Sequence, residues 1–180
     1  MQSTGNLAFA LLFAVVVGGA ALPALADDAC VDFKWDVSKE RALFAGKPAA
    51  LSAGKDSRSA PEIGPNHLYM VQLAVQDQVA FSVTPGKKMP TTASYAGLLT
   101  LKIPSSGSYR IAVDLPFWID VVSQGTLVAA KDYQGQHGCG APHKIVEFDL
   151  AGAQPFVLQF SNAVTDSVLL TVTPTPVRKF

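Results

Sequence analysis

From His67 onward the chain alternates apolar and polar residues in short runs separated by turn-forming residues, the period-two pattern of half-buried strands. Tyr69, Val71, Leu73 and Val75 fall on one side. After a turn at Gln76-Asp77-Gln78, Val79, Phe81 and Val83 repeat the pattern. Leu99, Leu101 and Ile103 alternate with Thr100 and Lys102, and P-S-S-G at 104–107 supplies turn residues. Tyr109, Ile111, Val113 and Leu115 then oppose Arg110, Ala112 and Asp114. The run 117–122 is apolar except at Asp120, and Gln124-Gly125 separates it from a brief strand at 126–129. Val146, Phe148 and Leu150 oppose Glu147 and Asp149; Phe156, Leu158 and Phe160 oppose Gln159 and Ser161; Val168, Leu170 and Val172 form the last run. About nine strands with no long helix among them predict an all-β fold, a two-layer β-sandwich or jelly roll, with Tyr109, Phe148 and Phe160 in its core.

One short N-terminal helix is predicted ahead of this array, over 36–44, with Asp36 or Ser38 as its cap and Gly46 ending it in the left-handed conformation. Residues 45–66 are rich in Ala, Gly, Ser and Pro and read as a functional loop or covering flap with room for one edge strand. An eight-stranded outer-membrane barrel fits less well. Pro174 and Pro176 interrupt the final strand, the runs fall short of the roughly 9–11 residues a spanning strand needs, and aromatic girdles are missing.

The first residues bear on the compartment. Residues 7–25 are apolar and end in L-P-A-L-A, with small residues at Ala24 and Ala26, so 1–26 read as a signal peptide cleaved before Asp27. The leading segment has no Lys or Arg, which leaves a retained anchor as the rival reading. Gly18-Gly19, Pro23 and Asp27-Asp28 favour cleavage, and the two aspartates before Cys30 disfavour a lipoprotein. Residues 27–180 then make a single domain. Fourteen basic residues balance fourteen acidic ones, so there is no cationic excess for nucleic acid or anionic lipid. The only two cysteines, Cys30 and Cys139, are predicted to form a disulfide in an oxidising compartment.

Candidate chemistry concentrates in two places. Residues 133–144 hold Tyr133, His137, Cys139 and His143 among glycines; imidazole and thiolate at this spacing can share a metal, but a disulfide at Cys139 leaves only His137 and His143. A blue-copper reading lacks its methionine, since Met70 and Met89 lie upstream. Asp120 shares a strand face with Trp118 and Val122; it can be a desolvated acid, or pair with Arg110 on the neighbouring strand. Trp118 and Tyr133 offer a platform for a ring, although strand aromatics are commonly core. The chain contains neither a G-x-S-x-G elbow nor an H-E-x-x-H zinc motif. These residues support no cofactor or catalytic assignment.

Two resemblances add to this reading. P-S-S-G-S-Y-R-I-A-V at 104–113, W-I-D-V at 118–121, F-V-L-Q-F at 156–160 and V-L-L-T-V at 168–172 resemble the bacterial pre-peptidase C-terminal type of jelly roll, which implies an accessory sandwich over about residues 68–173. From D-F-K-W-D-V at 32–37 to H-G-C at 137–139, the chain also resembles small exported Gram-negative proteins that carry the name homogentisate 1,2-dioxygenase. That name implies an Fe(II) oxygenase. The histidines present, His67, His137 and His143, show no H-x-H or H-x₅-E spacing for its facial triad. The expectation is a periplasmic or secreted non-enzymatic module that binds a protein, glycan or envelope component and is not held in the membrane after cleavage. The alternative is a metal-dependent oxygenase or hydrolase using His137 and His143.

Overall fold

The alternating runs pair into two sheets packed face to face. The computed structural model describes residues 32–88, 93–152 and 154–175; the predicted signal peptide, its cleavage site and Cys30 lie outside them. Helix α1 (Ser38–Phe44) is followed by β1 (Ala49–Ser52), β2 (Glu62–Ile63), β3 (Leu68–Gln72), β4 (Ala74–Val75), β5 (Tyr95–Leu101) and β6 (Gly107–Val113). Then come β7 (Trp118–Ser123), β8 (Thr126–Val128), β9 (Asp132–Gly135), β10 (Lys144–Leu150), β11 (Phe156–Ala163) and β12 (Ser167–Pro174). The first sheet runs β1-β3-β12-β6-β10-β9, and the second runs β2-β5-β11-β7-β8 with β4 added to β5. Each sheet carries one parallel pair, β1 with β3 and β2 with β5; the other pairs are antiparallel. The all-β sandwich expected from the alternation is therefore what forms.

Period-two alternation sends one face of each strand inward. Tyr109, Phe148, Phe156, Phe160, Leu158 and Leu170 fill the space between the sheets and are almost entirely removed from water. Burial of one such side chain contributes on the order of 1.5–3 kcal/mol. A smaller cluster lies on the outer side of the first sheet, where Phe33 and Val37 cover Ala112, Ile145 and Cys139. The β7–β8 hairpin turns through Gln124 (φ 51°) and Gly125 (φ 76°), whose positive φ values match the twist of a two-residue connection.

Several local expectations are corrected. Residues 79–83 form no strand. Gln76–Gln78 is a 3-10 turn, and the backbone N–H groups of Ser82 and Val83 donate to Gln159 Oε1, at 2.6 and 3.1 Å, instead of to a ladder. Val75 is 44% exposed because the chain changes sheet after Gln72, so the face shared by Tyr69 and Val71 does not persist. Gly46 is not left-handed; Ala45 closes α1 in the right-handed region, and Val37 occupies the N-cap position, while the Asp36 carboxylate still takes the first helical N–H, accepting from Ser38 at 2.9 Å. Residues 132–135, to which the sequence pattern assigns no strand, form an edge strand, and the 45–66 segment contributes two short strands, not one.

Candidate functional site

Strands β8 and β9 are the edges of the two sheets on the same side of the sandwich, joined by residues 129–131. Where the edges part, a cleft of about 490 Å³ opens into the core. Its apolar lining includes Ile119, Leu127, Val128, Val146 and Phe148. The size falls in the range of roughly 300–1,000 Å³ typical of small-molecule sites. Trp118, Asp120, Lys144, Tyr133 and Gly86 supply the polar and aromatic part of the lining.

The alternation of β7 explains this division. Ile119 and Val121 belong to the core, and Trp118 and Asp120 take the opposite face. Asp120 does not pair with Arg110. One carboxylate oxygen accepts from Trp118 Nε1 at 2.8 Å and the other from the Gly86 backbone N–H at 2.9 Å. The backbone approaches so closely there that a Cβ on Gly86 would stand 2.9 Å from Asp120 Oδ1 and 3.4 Å from Trp118 Nε1. The carboxylate thus fixes the indole, and Gly86 fixes the carboxylate.

Two ammonium groups flank that indole, Lys144 Nζ at 5.4 Å and Lys87 Nζ at 5.7 Å from the ring centroid, within cation–π range. Lys144 opens β10 and donates to the Phe117 carbonyl at 2.7 Å. Burial of its ammonium holds its pKa below the ordinary lysine value, the Lys87 charge pushes the same way, and Asp120 opposes both.

Arg110 lies in the other sheet, on the face under α1. Its guanidinium meets Glu147 Oε2 at 3.3 Å, Glu40 Oε1 at 3.9 Å and the Asp36 carbonyl at 3.1 Å. Thr173 donates its hydroxyl to Glu40, and Lys131 reaches Glu147 at 3.5 Å. This buried group pins the helix to the sheet.

Of the residues singled out from sequence, Trp118, Asp120 and Tyr133 meet at the cleft. His137 and His143 do not line it; they pack against each other with ring centroids 5.6 Å apart. Burial first, then the neighbouring His137 and Lys144 charges, lowers the His143 pKa below its ordinary value, with Asp114 opposing. Among the described residues no group of three or more His, Cys, Asp or Glu is placed to hold a metal ion. Cys139 is buried in the outer cluster with Phe33, while Cys30 lies outside the described residues. Lys144, Lys87, Gly86 and the Leu127 wall were not evident from sequence, because no local pattern marks which lysine leans over an indole. The chain matches no protein-family model and no curated protein.

Proposed function

We propose that this is an exported, non-enzymatic binding module that holds a small molecule with an apolar body in the cleft between β8 and β9. The observation that carries the reading is an apolar recess opening into the core beside an indole that hydrogen bonds hold in place. Core strands usually close over such a space, and an immobilised aromatic wall presents contact area at little entropic cost. Among the described residues the cleft brings together no nucleophile and base within hydrogen-bond reach, the geometry that covalent catalysis requires.

Export rests on the apolar 7–25 segment and its A-x-A terminus, which support a periplasmic or secreted protein starting at Asp27. Among the described residues no helix is long and apolar enough to cross a membrane. A Cys30–Cys139 bridge belongs to the same proposal. It would tie the first residues of the mature chain to the cluster around Cys139, and the described residues contain no free thiol.

The test uses the neutral dye N-phenyl-1-naphthylamine with the full mature chain. Saturable one-to-one binding is expected, weakened several-fold by Leu127→Asp, which places a charge on an exposed cleft wall without touching the closed core. No saturable binding, or binding unaffected by Leu127→Asp, contradicts the proposal.

A further inference from the structure

The geometry points to an amphipathic anion as the ligand of this cleft, with its apolar body against Val146 and Phe148 and a carboxylate or similar head at Trp118 between Lys144 and Lys87. This rests on the cleft being a ligand seat and adds the chemical class of what it takes. Ile119, Val146 and Phe148 offer no side-chain hydrogen bonds, so the part of the ligand that enters must be apolar. The exposed apolar surfaces of Leu127, 39%, and Tyr133, 69%, extend that contact outward.

The head is chosen by charge. Lys144 Nζ has three donors and, among the described residues, spends one on the Phe117 carbonyl and forms no ion pair. Lys87 likewise has no carboxylate within ion-pair distance among the described residues. Asp120 is the carboxylate in the cleft lining, and its two oxygens already accept from Trp118 and Gly86. Two cations therefore face one carboxylate committed to holding the indole. A ligand anion would give Lys144 the partner that burial makes valuable. A cationic ligand would meet two like charges.

Decanoate, 1-decanol and decyltrimethylammonium, each below its micellar concentration, are used to displace N-phenyl-1-naphthylamine from the mature protein. Decanoate should compete at least about tenfold better than decanol, as one charge-assisted contact implies, and the cationic amphiphile should be weakest. Lys144→Gln and Lys87→Gln should each weaken decanoate several-fold more than decanol; Lys87, exposed and with no hydrogen bond or ion pair among the described residues, keeps the test valid if Lys144→Gln disturbs β10. Equal displacement by all three overturns the anion assignment while leaving the cleft reading intact. Failure of the dye itself to bind overturns both. Sedimentation with phosphatidylglycerol vesicles in the absence of decanoate binding also overturns the inference, because the anion would then be a membrane surface and not a free amphiphile.

Discussion

Each of the two tryptophans sits beside two cations, and the two sites differ in what completes them. Trp35 has Lys34 Nζ at 4.8 Å and the Arg110 guanidinium at 5.0 Å. There Arg110 is itself enclosed by Glu147, Glu40 and the Asp36 carbonyl, and the space is filled by Phe33, Val37 and Phe44. Trp118 has Lys144, which lines the cleft, and Lys87 beside the ring, and neither cation has a carboxylate within ion-pair distance among the described residues. The same cation–indole pairing thus serves two ends. Enclosed by counter-charges and packing it holds an element in place; left open beside an apolar recess it can receive a ligand.

The contrast is broken most severely by Arg110→Met. That change leaves Glu40 buried without its cation and Glu147 with Lys131 alone, and it should cost about 3–5 kcal/mol in denaturant unfolding. The triple variant Glu40→Leu/Arg110→Met/Glu147→Leu should recover most of the loss, because no buried charge is then left over. A triple variant no better than the single one would show that the group contributes by geometry and not by charge balance.

Cys139 lies in the same closed region, and Cys139→Ser should lower stability by about 2–5 kcal/mol if the proposed bridge to Cys30 closes the long loop between them. The native protein should then resist alkylation until reduced. A thiol that labels without reductant in the exported protein would remove the bridge from the account.

At the open site the effects on folding should be small. Lys144→Gln loses a hydrogen bond to Phe117 but also relieves the burial of an ammonium, so it should cost less than about 2 kcal/mol. Lys87→Gln should barely move the unfolding midpoint. If either destabilised the protein as much as Arg110→Met, the open site would be structural like the closed one.

Sequence made the core faces legible because apolar alternation has the same physical cause in every half-buried strand, as at Tyr109, Phe148 and Phe160. It misled at Val79, Phe81 and Val83, where the alternation is genuine but a side-chain amide, Gln159, takes the backbone donors a neighbouring strand would have taken. It missed β9, whose Asp132–Gly135 run is polar because an edge strand need not bury a face. The pairing of Asp120 with Arg110 failed for a topological reason. β6 and β7 are consecutive in sequence but belong to different sheets, so their polar residues face opposite sides of the sandwich. Trp118, Asp120 and Tyr133 were legible as chemistry placed on or beside strands. Lys144 and Lys87 were not, because their role depends on how two sheet edges part.

The most direct measurement is the pair of indole N–H signals in a ¹⁵N-correlated NMR spectrum of the mature protein, titrated with decanoate. Only two tryptophans are present, so each reports its own site. The Trp118 Nε1–H, bonded to Asp120, should shift progressively and saturate, while the Trp35 signal stays in place. A shift confined to Trp35, or neither signal moving at high decanoate, would contradict the claim that the open indole is the ligand seat.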